Sequence, residues 1–341
     1  MKKRIEWIDI VKFICIMFVM LSHLECNTRI LFVFYYPFYL TLFFFSSGYV
    51  YNDVKDFRTF FSKKVKGLLV PWLILSCFNI FLSGIMSFRE QVDIKNELMW
   101  NFLQIRGIYD GLWFVAALFV AFIPFYFLVK IGRQKYKLVI LVSFILSVIS
   151  SIYVMYMNPQ IFPWKSNALP WHLEYIFQAM FFMILGYYYK VYGEEKIDKY
   201  NTKKNRVIVW AIYLMVVYTP YVFNIDYQGV AEIIHTYISQ MLGVIAIITF
   251  SKTIKSNKYI NYVGQNTLLY FAFHGKVFRV LQVGVNKIAG EAYSFILEND
   301  IVSSVYAIVF TILLSIILVI PSYIVNRYFP FVLGKGYPKK Q

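Results

Sequence analysis

Ten stretches of roughly twenty mostly apolar residues follow one another along this chain, at about 7–24, 31–51, 67–87, 111–129, 138–157, 170–189, 207–223, 231–251, 266–284 and 301–326. A helix of about twenty residues spans the hydrocarbon of a bilayer. Inside lipid every backbone polar group must find its partner within the protein, which leaves helices and closed barrels. Continuous apolar runs of this length read as helices. The expected fold is an all-α integral membrane protein, a bundle of about ten transmembrane helices forming a single domain over 1–341.

The loop charges test that count. The chain has 341 residues, 34 of them Lys or Arg, and a net charge of +16. A charge of that size invites a nucleic-acid reading, but the cations sit in short loops between apolar runs, so that reading is rejected. With the N-terminus inside, the cytoplasmic segments hold 25 of the 34 basic residues. The outer loops hold six: Arg29, Arg89, Lys95, Arg106, Lys165 and Lys287. This is the bias of the positive-inside rule, and one missed span would invert every later loop. Both termini are expected in the cytoplasm, with the protein multi-pass in the plasma membrane. The segment Ser22-His23-Leu24-Glu25 is a poor signal-peptidase site, so the first helix is expected to be retained. Cys15, Cys26 and Cys77 are an odd number without metal-ligand spacing.

Only 15% of the residues are charged, so ionisable groups inside apolar runs stand out. Lys12 and His23 lie eleven residues apart on the first run, on one helix face and about 16 Å apart along the axis. Such groups usually face a bundle interior or a wet cavity. The bland reading is a snorkelling lysine, or one paired with Asp9 three residues earlier, and a histidine bonded at a helix end. The other three histidines keep similar company. His172 and Glu174 open the sixth run, Glu232 and His235 the eighth, and His274 is followed by Lys276 and Arg279 on the ninth. All four imidazoles fall in the outer half or near the midplane, a setting suited to base catalysis on a hydroxyl. On the cytoplasmic side Lys63, Lys64 and Lys66 enter the third run. They read either as topology and headgroup contacts or as a phosphate-binding patch that Lys12 extends into the membrane.

Other features are structural. Ser46-Ser47-Gly48 lets helices approach closely, Leu185-Gly186-Tyr187 offers a packing notch, and Gly111-Leu112-Trp113-Phe114 puts an indole at the outer interface. There is no nucleotide-binding glycine loop, CxxC, HExxH or GxSxG.

Several of these segments, in their order, resemble the membrane-bound acyltransferase-3 family, in particular its short members that O-acetylate surface polysaccharides and lack a soluble SGNH-type domain. Lys12, ten residues and then His23 is similar to the family's first-helix motif, with lysine where arginine is usual. Phe44–Tyr49 resembles the second-helix motif, and Lys63–Pro71 a paired-arginine loop, with lysines replacing arginines and Gly67 at one basic position. Gly111–Phe119, Phe181–Tyr187 and Val263–His274 resemble later motifs. The resemblance implies an acyl-coenzyme A donor, usually acetyl-CoA, from the cytosol and a carbohydrate hydroxyl as acceptor at the outer side, with no metal. It implies His23 as general base and Lys12 as support for the donor.

Beside these, depth alone nominates Glu174 as the group that orients His23 or binds the sugar. Lys63, Lys64 and Lys66 are taken for the coenzyme A phosphates, and Trp113, His172, His274 and Arg279 for the acceptor. The alternatives are a glycan or lipid-linked sugar transporter or flippase, and a membrane sensor keeping the fold without catalysis. Oligomeric state is left open.

Overall fold

The computed structural model describes residues 5–86, 93–107, 112–132, 135–157 and 159–336. Gly111 of the fourth-run motif lies outside them, as do Lys2, Lys3, Arg4, Arg89, Arg133, Lys339 and Lys340 of the charge count. In chain order the helices are α1 (Glu6–Ser22), α2 (Arg29–Tyr35), α3 (Tyr39–Tyr49), α4 (Phe57–Lys64), α5 (Val70–Met86), α6 (Ile94–Leu103), α7 (Trp113–Ile131) and α8 (Tyr136–Tyr156). They continue as α9 (Ile176–Tyr188), α10 (Glu194–Asp198), α11 (Lys203–Phe223), α12 (Val230–Ser251), α13 (Lys258–Gln265), α14 (Thr267–Glu298), α15 (Asp300–Ile317) and α16 (Val319–Tyr328). π-helical turns at Val65–Leu69 and Tyr189–Gly193 and 3-10 turns at Pro159–Ile161, Pro170–Tyr175 and Pro330–Leu333 join or extend them.

Among the described residues seven helical stretches are long and apolar enough to cross a membrane: Arg29–Tyr49, Phe57–Ile85, Trp113–Ile131, Tyr136–Tyr156, Lys203–Phe223, Val230–Ser251 and Asp300–Tyr328. The chain is an all-α integral membrane protein. Each of these stretches coincides with a predicted apolar run. The first, sixth and ninth predicted runs take other forms. α1 is 17 residues long. The sixth run is a 3-10 turn, the 13-residue α9 and a π turn. The ninth lies in the 32-residue α14, which carries Lys276, Arg279 and Lys287 and turns sharply at Gly290 (φ 26°, ψ −105°).

The backbone packs as two compact units, one of Met1–Ser46 with Lys190–Ser322 and one of Ser47–Tyr189 with Tyr323–Gln341. In the first, α1 packs against α12, α13, α14 and α15. Ile8, Val11, Cys15, Val19 and Met20 on α1 are buried. Gly264 of α13 sits on the Asp9 backbone so closely that a Cβ would strike the Asp9 carbonyl. Helix starts are fixed by side chains that accept orphan N–H groups: Thr202 from Asn205, Asn257 from Ile260, and Asn299 from Ile301 and Val302. Lys252 at the end of α12 gathers Glu194 and Asp198, each at 2.8 Å, and lies 5.1 Å from the Trp7 ring centroid.

In the second unit α7 and α8 flank α9. Gly48 lies against the Met183 backbone, the close approach expected of the Ser46-Ser47-Gly48 patch. Asp56 caps α4 by accepting from the Thr59 N–H, and that bond holds its carboxyl below the usual carboxylate range. The turn after α16 reaches the π turn after α4. Gly334 (φ 64°) meets the Lys66 carbonyl there, so a side chain at 334 is excluded by conformation and by space.

Candidate functional site

In the first unit α1 stops at Ser22 and leaves His23 as its C-terminal cap. The imidazole is exposed. Its Nδ1 lies 2.7 Å from the carbonyl oxygen of Val19, one turn back, and 3.3 Å from Ser22 Oγ. A carbonyl only accepts, so Nδ1 carries a proton, and in the neutral ring Nε2 keeps the lone pair. His274, buried on α14, repeats the arrangement: Nδ1 donates to the Phe271 carbonyl at 2.8 Å, and Nε2 has no hydrogen-bond partner. The two rings meet edge to face with centroids 4.7 Å apart, and Phe271 stacks on His274 at 5.9 Å. The fold thus brings together two of the nominated histidines. Beside them Gln282 of α14 donates to Glu25 at 2.9 Å and lies 3.3 Å from the Tyr293 hydroxyl.

Lys12 lies on the same helix as His23, half-buried. Arg279 is exposed. Five residues beyond His274 on an ideal helix, it stands about 140° round the axis from that ring.

In the second unit a cavity of about 380 Å³ opens beside the π turn, lined by Tyr51, Asn52, Lys63, Lys64, Gly67 and Phe122 among others. Lys64 is caged: its Nζ is 3.2 Å from the Phe122 ring centroid, 5.8 Å from Tyr51 and 5.9 Å from Phe60. Aromatic faces attract an ammonium through the negative face of the ring. Lys63 lines the same cavity, whereas Lys66 does not. Helical periodicity accounts for the split, because two residues on from Lys64 a side chain stands about 200° round the axis.

His172, Glu174 and Trp113 also share the second unit. The 3-10 turn that carries the first two contains consecutive left-handed residues, Trp171 (φ 59°) and His172 (φ 55°). That conformation costs roughly 1–2 kcal/mol per non-glycine residue. His172 is fully buried, both its ring nitrogens lack hydrogen-bond partners, and its ring lies 5.3 Å from Trp113. Glu174, 3% exposed, accepts the Leu169 N–H on Oε2 at 2.9 Å. Ser150 donates to its carbonyl. The other carboxylate oxygen faces Arg106 Nε at 3.9 Å. Arg106 also donates to Tyr175 and, at 3.2 Å, to Asn167. Arg106 reads in the sequence only as an outer-loop charge. Its partners Asn167 and Tyr175 are 61 and 69 residues away, a separation that leaves no local spacing to find.

Among the described residues no three His, Cys, Asp or Glu side chains gather as metal ligands. A family model described as an acyltransferase domain, acyltransferase-3, matches residues 5–320. No curated protein and no solved structure matches the chain.

Proposed function

The chain belongs to the acyltransferase-3 family and is a multi-pass membrane acyltransferase, and from that premise we propose that it moves an acetyl group from cytosolic acetyl-CoA to a hydroxyl of a cell-surface polysaccharide or its lipid-linked precursor at the outer face of the plasma membrane. In this reading residues 1–341 act as one domain of ten spans with both termini cytoplasmic, the 17-residue α1, the 13-residue α9 with its flanking turns and the first part of α14 supplying the remaining three spans.

The observation that carries the proposal is the exposed His23 ring, with Nδ1 committed to Val19 and Nε2 left as base. Nε2 takes the proton of a sugar hydroxyl as its oxygen bonds to the thioester carbonyl carbon. The tetrahedral intermediate collapses with cleavage of the carbon–sulfur bond. The departing coenzyme A thiolate recovers the proton from the His23 imidazolium, so the base is regenerated and an ester and a free thiol result. His274 holds the ring of His23 from the side. Lys63 and Lys64 bind the donor's phosphates, where charge-assisted bonds are strongest, with Lys66 at the edge of the patch and Lys12 supporting the donor's inner end. Glu174 fixes the turn that carries His172, and His172, Trp113 and Arg279 serve the acceptor.

The test uses purified protein, radiolabelled acetyl-CoA and polysaccharide stripped of its acetyl esters by mild alkali. Label should appear in the polymer with the wild-type protein and not with His23→Ala. Normal labelling by that variant refutes the catalytic role. Absence of labelling by the wild type refutes the reaction.

A further inference from the structure

The first unit holds a second cavity, of about 500 Å³, between α2, α11 and α12, and none of the roles above uses it. Its walls are fixed with care. Tyr213 and Tyr218 of α11 donate to the carbonyls of Phe34 and Ile30 on α2, the latter at 2.9 Å. Pro220 inside α11 has no N–H to give the Val216 carbonyl. His235 of α12 fills that vacancy, its Nε2 lying 3.1 Å from the oxygen. Nε2 therefore carries the proton, and Nδ1 remains an acceptor on a ring that lines the cavity. Tyr227 lies tilted against that ring with centroids 4.8 Å apart, and the guanidinium of Arg29 lies 5.4 Å from the Tyr221 ring centroid. Tyr36, also lining, is 56% exposed.

The lining combines aromatic faces with Arg29, Asp226, Asn224 and His235. One cation and one carboxylate balance, so the cavity does not select an anion. Aromatic rings beside neutralised, hydrogen-bonding rims suit a ligand with an apolar face and a ring of hydroxyls, which is a sugar. Its volume lies in the usual range for a small-ligand site, roughly 300–1,000 Å³. Arg29 is six residues from His23, a chain reach of at most about 20 Å.

We propose that this cavity is a subsite for the acceptor, holding a sugar unit of the same polymer a few units from the one acylated at His23. The inference rests on the acyl-transfer reading and adds to it a preference for acceptor length. Arg29 and Asp226 read hydroxyls, Tyr221 and Tyr36 carry the sugar face, and His235 Nδ1 accepts from a hydroxyl.

The experiment compares de-O-acetylated polysaccharide fragments of one repeat and of several repeats as acceptors. For the wild type the longer fragment should have the higher kcat/KM. Arg29→Gln and Tyr221→Leu should each reduce the long-to-short ratio of kcat/KM about tenfold, the value of one charged hydrogen bond or aromatic contact. Tyr221→Phe, which keeps the ring, should preserve it. If Tyr221→Leu fails to accumulate, the exposed Arg29 carries the test alone. An equal loss for both lengths, or no loss, overturns the subsite. Calorimetric binding of the same fragments without acetyl-CoA separates the two claims. Fragments that bind in an Arg29-dependent way but are never acetylated uphold the cavity and sink the reaction. Acetylation with length-independent binding does the reverse.

Discussion

The imidazoles of His23 and His274, the first and last histidines of the chain, stand edge to face at 4.7 Å with planes 73° apart. Each gives its Nδ1 proton to a carbonyl in its own helix, so both Nε2 atoms are left as acceptors. One is at the surface and the other is buried. The exposed ring is suited to exchange protons, and the buried one to hold it in place.

That asymmetry predicts unequal variants. His23→Gln should lower kcat by about 10²–10⁴, the usual share of a general base, with KM for acetyl-CoA unchanged. His274→Phe keeps a flat ring against His23 and should retain most of kcat, whereas His274→Ala frees the base and should cost more. Label transfer over a range of acetyl-CoA concentrations reads both constants. A His274→Phe enzyme as inactive as His23→Gln would make His274 a proton carrier and not a support.

The cation cluster divides in the same way. Lys63 and Lys64 line the 380 Å³ cavity and Lys66 does not. Lys63→Gln and Lys64→Gln should each raise KM for acetyl-CoA about tenfold or more, as loss of a charge-assisted bond implies. Lys66→Gln should change it by much less. Steady-state kinetics decide, and a Lys66 effect equal to that of Lys63 would place the phosphates elsewhere.

The helices that are long and apolar could be read from hydropathy alone, because length and composition suffice for them. The ninth run is the weakest in the sequence because His274, Lys276 and Arg279 interrupt it, while α1 and α9 fall short in length; these are the elements that bear His274, His23, and Glu174 beside the start of α9. Groups that do chemistry are polar, and polar groups shorten or interrupt an apolar helix. Lys12 lies on α1 and His23 caps its end, so their separation is local and legible in the sequence. The meeting of His23 with His274, and of Arg106 with Glu174 and Asn167, depends on tertiary packing that no periodicity encodes. The π turn at Val65–Leu69 has no sequence signature either.

Glu174 gives a prediction about stability. Its Oε2 satisfies the buried end of a turn through the Leu169 N–H. Glu174→Gln keeps an acceptor there, while Glu174→Leu strands the donor and leaves Arg106 without its carboxylate. The leucine variant should lose about 1–3 kcal/mol, the cost of a buried unsatisfied group, and the glutamine variant less. Thermal melting in detergent measures the order. Equal melting points would remove the strut, and a Glu174→Gln protein that folds normally but is inactive would assign Glu174 to the chemistry.

Glycine substitutions test the helix contacts directly. An added Cβ at Gly48 would fall on the Met183 carbonyl and one at Gly264 on that of Asp9, and in each case the obstacle is backbone that cannot rotate away. At Gly67, in the π turn, a Cβ meets nothing within 4 Å. Overpacking costs about 1–3 kcal/mol, and more where backbone must shift. Gly48→Ala and Gly264→Ala should therefore lower the melting temperature and the yield of folded protein. Gly67→Ala should be neutral, or more stable by up to about 1 kcal/mol through a less flexible unfolded chain. Because Gly67 also lines the lysine cavity, its alanine variant is the one of the three in which a change in KM for acetyl-CoA without a loss of melting temperature is expected. A Gly48→Ala protein as stable as the wild type would refute a backbone contact between α3 and α9 at this position.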